Sequence, residues 1–116
     1  PYNAHTTASD ALWVGVPVIT CPGDTFAARV AASLVTATGV TDTIATSLDG
    51  YEAIALRLAQ DAAARRALRE RLVAARVSCP LFDAARFASN LEALYERMLE
   101  RRQTSLATGH LATAPA

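Results

Sequence analysis

The sequence is poor in several features that would point to particular classes of protein. Lysine is absent, and eleven arginines balance eleven acidic residues, so the formal net charge is zero. A nucleic-acid-binding surface needs a clustered surplus of basic residues, and we therefore expect no nucleic-acid partner. No apolar run approaches the roughly 18 residues of a membrane-spanning helix, so the sequence predicts no membrane association.

Cysteine and aromatic residues are also scarce. Cys21 and Cys79 are the only cysteines, which is too few for a disulfide framework or a cysteine metal cluster, and no metal site is predicted. A reducing, intracellular setting fits this low count best, and we expect a cytoplasmic location. Aromatic residues make up only 6% of the chain, but a hydrophobic content of 52% suffices for a packed core. The length corresponds to one domain or part of one.

The N-terminal part of the chain alternates between helical and extended patterns. Gly15 is placed to end a first helix, and residues 16–20 then form a short apolar run that predicts a buried strand. A second helix is predicted from Asp24 or Thr25 to Ala37, and residues 40–45 could form another strand. This order predicts an α/β fold with a parallel sheet and flanking helices.

From Asp49 onward the pattern is helical. Asp49 and Glu52 are spaced as in a capping box, and Asp61 and Asp83 are placed to begin two further helices. The last of these is long and carries an apolar stripe that we expect to be buried: Ala84, Phe87, Leu91, Leu94 and Met98.

The predicted domain covers residues 1–102. Two short parallel strands leave a sheet edge and apolar helix faces uncovered, so we expect further strands upstream and an unstable segment when it is isolated. The chain also begins at Pro1 within what reads as a working element, which indicates the C-terminal piece of a longer protein. Residues 103–116 are small and polar without periodicity and are predicted to be a disordered tail.

The segment His5-Thr6-Thr7-Ala8-Ser9-Asp10 carries the clearest chemical pattern. The apolar residues that follow have helical spacing, which predicts a helix with Thr6 or Thr7 at its N-cap. Asp10 would lie on the same side as both threonines, because residues three and four apart are neighbours on a helix. The unpaired N–H groups and the dipole of a helix start suit an anion, above all a phosphate.

Each of these residues also has a purely structural interpretation. Thr6 and Thr7 could only cap the helix, His5 could be an ordinary surface or core histidine, and Asp10 could only complement the helix dipole. Their occurrence together favours a nucleotide, since a ribose needs a carboxylate acceptor and a diphosphate needs N–H groups and hydroxyls.

Three segments carry a resemblance to a known family. Residues 1–18, 22–33 and 79–82 (Cys-Pro-Leu-Phe) resemble the C-terminal donor-binding segment of the O-GlcNAc transferases, which form glycosyltransferase family 41. The likeness spans roughly 1–102 and is densest up to Gly39. It implies the C-terminal part of a GT-B, Rossmann-like nucleotide-sugar-binding domain with a helical C-terminus.

The resemblance also implies an activity and its partners. Those enzymes transfer N-acetylglucosamine from UDP-N-acetylglucosamine to serine and threonine hydroxyls of proteins, with inversion and without a metal or other cofactor. Carried over by position, Thr6 and Thr7 would hold the diphosphate, Asp10 the ribose hydroxyls, and His5 would lie against the UDP. The catalytic residues, an N-terminal catalytic half and tetratricopeptide repeats would lie upstream, and the last helix would dock on that half.

Two other functions remain open from the sequence. The domain could belong to another GT-B enzyme that uses a UDP- or GDP-sugar, such as a protein O-fucosyltransferase of the SPINDLY type, or to a non-catalytic nucleotide-binding scaffold. His5 together with Asp10 favours the UDP-N-acetylglucosamine branch, because the SPINDLY type has a threonine-rich segment here and an uncharged residue at the position of Asp10.

Overall fold

The computed structural model describes residues 2–104 together with Gly109 and Leu111. Within these residues the chain is mainly helical, with five α-helices and two short 3₁₀-helices. In chain order they are α1 (Thr6–Trp13), a 3₁₀-helix (Phe26–Ala28), α2 (Val30–Ala37), α3 (Leu48–Gln60), α4 (Ala62–Ala75), a second 3₁₀-helix (Pro80–Phe82) and α5 (Ala84–Gln103). None of the helices described is long and apolar enough to cross a membrane.

The chain divides into two compact units. Pro1–Phe82 contains α1 to α4, and Asp83–Ala116 contains α5. The predicted single domain over 1–102 and the predicted tail from residue 103 stay predictions. Helix α5 continues through Gln103, and most of the tail lies outside the described residues.

The parallel sheet predicted from the sequence is not formed by the residues that the structure describes. The two segments predicted as strands meet at a single parallel bridge between Thr20 and Ile44. There Thr20 N–H donates to the Thr43 carbonyl (3.0 Å), and Ala45 N–H donates to the Thr20 carbonyl (2.8 Å). Pro17 has no N–H to add to such a ladder, and two short strands without a neighbour are marginally stable at best. The parallel pairing is therefore confirmed at one point, whereas the two strands are not.

The core of the first unit lies between α1, α2, α3 and α4. Leu12 of α1 and Val35 of α2 are its most buried large side chains, with 2% and 1% of their surface exposed. The other buried members of this cluster are Val40, Leu58, Leu68 and Leu72. The buried residues of α4, Leu68 and Leu72, fall four apart and therefore lie on one face of that helix.

A glycine ends α1 where the helix passes close to α4. Gly15 has a φ of +79°, a left-handed conformation that other residues rarely adopt. A Cβ at this position would lie 2.8 Å from Cγ2 of Val73, so the close approach of the two helices also requires glycine here.

The second helix, predicted from Asp24 or Thr25 to Ala37, is divided into a 3₁₀-helix (Phe26–Ala28), which Thr25 caps, and α2, which begins only at Val30.

Of the helix starts predicted at Asp49, Asp61 and Asp83, the last two are confirmed and the first is wrong. The carboxylates of Asp61 and Asp83 each accept a hydrogen bond from the N–H three residues later, as N-caps do. Helix α3 is capped by the hydroxyl of Ser47, which accepts from Gly50 N–H (3.1 Å). Asp49 instead lies in the first turn, where its charge complements the helix dipole, so the predicted capping box is not formed.

The apolar stripe of α5 is not buried. No residue of α5 is buried, and Phe87 and Met98 are 66% and 55% exposed. A stripe is buried only against a second apolar surface, and the described part of Asp83–Ala116 contains α5 as its one helix. The helix is confirmed, whereas the stripe is not buried among the described residues, and its burial against an upstream half stays a prediction.

A surface ion pair joins the loop before α3 to α4. Arg71 donates two hydrogen bonds to the Asp42 carboxylate, at 2.9 and 2.8 Å. These bonds hold the pKa of Asp42 below its ordinary value of 3.8. Because the folded-state pKa is lowered, the pair stabilises the fold above the ordinary pKa, and this contribution is lost as the pH falls through the lowered value.

We therefore expect Asp42→Asn to lower the urea-unfolding midpoint of the full-length protein slightly at neutral pH. The effect is small because both side chains are about half exposed, at 51% and 41%. The difference from wild type should shrink as the pH falls below the ordinary carboxylate range. A difference that stays constant down to acid pH would contradict the role assigned to the ion pair.

Candidate functional site

The candidate site is the start of α1, which lies one residue earlier than predicted. His5, rather than Thr6 or Thr7, is the N-cap, and its carbonyl accepts from Ala8 N–H (3.0 Å) and Ser9 N–H (3.2 Å). No side chain caps this helix. The prediction that a threonine caps α1 is therefore wrong, because both threonines are already helical at its first two positions.

This shift leaves the donors at the helix start free. The side chains of Thr6 and Thr7 are exposed. Within the described residues, neither their hydroxyls nor their backbone N–H groups have a hydrogen-bond partner. The helix start thus presents two hydroxyls and two N–H groups on the positive end of the helix dipole. Such a set of donors suits an oxyanion.

Asp10 lies on the same exposed side of α1 as the two threonines. Thr6, Thr7 and Asp10 are exposed, whereas Ala8 and Leu12 are buried. The shared side predicted from the spacing is confirmed. A carboxylate placed one turn along from the helix start leaves room for the anion there and can accept hydrogen bonds from hydroxyls of the same ligand.

His5 is enclosed by two aromatic rings. Its imidazole stacks on the ring of Tyr2, with 4.8 Å between centroids and 14° between planes, and Phe26 meets it edge-on at 6.1 Å and 89°. The Nε2 atom is shielded from solvent and has no hydrogen-bond partner among the described residues. Buried polar atoms are normally hydrogen-bonded, so this unpartnered nitrogen is an exception among the described residues.

Asn3 fixes the segment that precedes the helix. Its side-chain amide donates to the Ala28 carbonyl (2.7 Å) and to the Thr20 hydroxyl (3.1 Å), and its N–H donates to the Ala27 carbonyl (3.0 Å). These bonds tie the start of α1 to the turn of Phe26–Ala28, which Thr25 caps. Sequence reasoning missed Asn3, because a single asparagine in a loop carries no pattern.

The described residues contain no group of three or more His, Cys, Asp or Glu side chains that could hold a metal ion.

The structure brings together all four residues predicted for the site, His5, Thr6, Thr7 and Asp10, around the start of one helix. It adds Tyr2, Asn3 and Phe26 as the residues that surround and anchor it.

Comparisons with known proteins agree on one family. The model of glycosyl transferase family 41 matches residues 2–91. The chain is 47% identical over 97 residues to a probable UDP-N-acetylglucosamine–peptide N-acetylglucosaminyltransferase SEC of Arabidopsis thaliana, covering 83% of this chain and 10% of that protein. It is 36% identical over 109 residues to the UDP-N-acetylglucosamine–peptide N-acetylglucosaminyltransferase of Caenorhabditis elegans, covering 94% and 10%.

A solved structure is also similar. A mutant O-GlcNAc transferase of Thermobaculum terrenum superimposes with a TM-score of 0.79 and 34% sequence identity, covering 90% of this chain and 20% of that one. The chain thus spans about 10% of the length of these curated relatives. The match over most of the sequence, and the two relatives above one-third identity, show that this chain belongs to glycosyltransferase family 41.

Proposed function

We propose that this chain forms the donor-binding part of a protein O-GlcNAc transferase, and that the start of α1 binds the diphosphate of UDP-N-acetylglucosamine. The observation that carries the proposal is the set of unpartnered donors on Thr6 and Thr7, which the helix does not use for its own capping. The relatives from Arabidopsis thaliana and Caenorhabditis elegans, which are named for UDP-N-acetylglucosamine, support the identity of the donor.

The proposed chemistry follows from where charge develops. When the bond between the sugar and the diphosphate breaks, negative charge builds up on the departing β-phosphate. Fixed N–H groups and hydroxyls that point at this charge stabilise the transition state more than the ground state. Thr6 and Thr7 would supply these donors, and the dipole of the eight-residue helix α1 adds to them.

The other two site residues have separate roles in the proposal. The Asp10 carboxylate accepts hydrogen bonds from the ribose hydroxyls, and the His5 imidazole lies against the UDP. The proposal further includes a GT-B architecture, inversion at the sugar, transfer to protein serine and threonine hydroxyls without a metal, and a cytoplasmic setting. It assigns no catalytic base to these residues.

The experiment that tests the proposal is the substitution of Asp10. In the full-length protein, Asp10→Ala should raise the KM for UDP-N-acetylglucosamine and lower kcat/KM by roughly 10- to 100-fold, the range for losing hydrogen bonds to a charged group. Asp49 is a matched control, because it is an exposed aspartate in the first turn of α3. Asp49→Ala should leave the donor kinetics unchanged.

Unchanged donor kinetics in Asp10→Ala would contradict the assignment. Mass spectrometry of serine and threonine sites, after incubation with UDP-N-acetylglucosamine or GDP-fucose, identifies the sugar transferred. If only fucose is transferred, from GDP-fucose, the donor is GDP-fucose and not UDP-N-acetylglucosamine. If the protein binds UDP but transfers neither sugar, it is a nucleotide-binding scaffold and not an enzyme.

A further inference from the structure

Asn3 joins the segment before α1 to two other parts of the first unit through hydrogen bonds. Its side-chain amide nitrogen donates to the Ala28 carbonyl at 2.7 Å and to the Thr20 hydroxyl at 3.1 Å. Its backbone N–H donates to the Ala27 carbonyl at 3.0 Å. All three bonds originate in the segment that leads into α1, and Asn3 therefore fixes where that segment lies.

The groups that accept from the Asn3 side chain are themselves held in place. Ala28 and Thr20 are only 1% and 3% exposed. The Ala28 carbonyl also accepts from Gly23 N–H at 3.0 Å, and Thr20 is bonded through both its N–H and its carbonyl at the parallel bridge. Buried partners with further bonds of their own give Asn3 a rigid support, and losing hydrogen bonds to such buried groups is costly.

The first turn of α1 contributes few contacts of its own. Thr6 and Thr7 are exposed, and the buried side chains of the helix, Ala8 and Leu12, come after them. The N–H groups of a first turn have no partners within the helix, and helix ends fray. The order of this turn therefore depends on how firmly the preceding segment is held.

We propose that Asn3 is a positioning residue for the donor site: its hydrogen bonds hold the start of α1 so that the donor groups of Thr6 and Thr7 are in place before the diphosphate binds. This inference rests on the proposed function of the same site, and it gives Asn3 no contact with the donor. A site that is arranged in advance loses little freedom on binding, whereas a frayed turn must first be ordered, which weakens binding.

A competing explanation is that Asn3 contacts a ligand directly, because it also lines a cavity of about 370 Å³. Cys21 and Tyr51 line the same cavity. Tyr51→Ala changes the cavity wall without removing a bond of Asn3, so it should leave UDP binding unchanged if Asn3 acts through the start of α1. A loss of UDP binding in Tyr51→Ala as large as that in Asn3→Ala would overturn the inference.

The test is calorimetric titration of the full-length protein with UDP and with UMP. Asn3→Ala should weaken UDP binding about tenfold, the size expected for lost hydrogen bonds to buried groups, and should change UMP binding much less. Thr20→Val removes one of the two acceptors of the Asn3 side chain and should weaken UDP binding by a smaller factor. Thr20→Ser keeps the hydroxyl and should bind UDP as wild type does.

Thr38→Val is the matched control for a loss of stability alone. Thr38 is 4% exposed, and its hydroxyl donates to the Val35 carbonyl (2.7 Å) and accepts from Val40 N–H (3.1 Å) at the end of α2. This variant also removes two buried hydrogen bonds, so it should lower the melting temperature as Asn3→Ala does, yet leave UDP binding unchanged. Equal losses of UDP binding in the two variants would reduce Asn3 to a purely structural role and overturn the inference.

Hydrogen exchange separates this inference from the proposed function. Ala8 N–H and Ser9 N–H bond the His5 carbonyl and report on the first turn of α1, and both should exchange faster in Asn3→Ala than in wild type. Unchanged exchange there would overturn the positioning role. If wild type binds UDP no more tightly than UMP, the proposed diphosphate site itself fails. If wild type prefers UDP and Asn3→Ala keeps the full preference, the proposed site stands and the role of Asn3 is overturned.

Discussion

Replacing Thr6 and Thr7 together by valine is expected to lower kcat/KM for the donor by at least about 100-fold, because each of the two hydroxyls that bonds a charged phosphate contributes roughly 1.5–3 kcal/mol. Valine keeps the shape and the β-branch of threonine and removes only the hydroxyl. The two backbone N–H groups remain, so donor binding should be weakened rather than abolished.

The same double variant should leave the thermal stability unchanged. Neither hydroxyl caps α1, and valine and threonine have similar helix propensities. Thr36→Val on the exposed side of α2 is the matched control, and it should not affect the donor kinetics. A loss of stability in Thr6→Val/Thr7→Val with normal donor kinetics would show that the threonines serve the helix and not a ligand.

The second large effect concerns the core of the first unit. Leu12→Ala should lower the free energy of opening of α1 by about 2–5 kcal/mol, the range for a buried leucine truncated to alanine. Leu12 is 2% exposed and packs in the cluster that includes Leu68 and Leu72 of α4. Because α1 carries the proposed donor site, the loss should also weaken donor binding.

Hydrogen exchange of the peptides from α1 and α4 in the full-length protein measures this loss directly. Leu56→Ala is the matched control, since Leu56 lies on α3 and is 51% exposed. It should change protection by less than about 1 kcal/mol. Equal losses in the two variants would contradict the core described for the first unit.

Local patterns in the sequence predicted the helices and several of their ends. Asp61 and Asp83 cap the helices that they were expected to begin, and Gly15 ends α1 in a left-handed conformation. These features depend on a few neighbouring residues, and local chemistry therefore specifies them. That His5, Thr6, Thr7 and Asp10 lie close together was predictable for the same reason, because they fall within six residues of one another.

Features that depend on distant partners were not predictable in this way. The sheet is reduced to one bridge at Thr20, because the pairing of a strand depends on what lies beside it. The exposure of Phe87 in α5 likewise depends on a packing partner and not on the periodicity of the helix. Tyr2 and Phe26 are far apart in sequence from each other, so their convergence on His5 appears only in the folded chain.

The start of α1 shows how a helix start that is misplaced by one residue changes the interpretation of Thr6 and Thr7. Either threonine at the N-cap would have used its hydroxyl within the helix, which was the main structural alternative to ligand binding. With His5 at the N-cap, both hydroxyls are free, and the structure favours the binding interpretation over the capping one.

The central claim is that the start of α1 holds the β-phosphate of the donor. Calorimetric titration of the full-length protein with UDP and with UMP, in wild type and in Thr6→Val/Thr7→Val, tests it most directly. We expect wild type to bind UDP at least tenfold more tightly than UMP, since the two nucleotides differ only by that phosphate, and the valine variant to lose most of this preference. An undiminished preference for UDP in the variant would contradict the account.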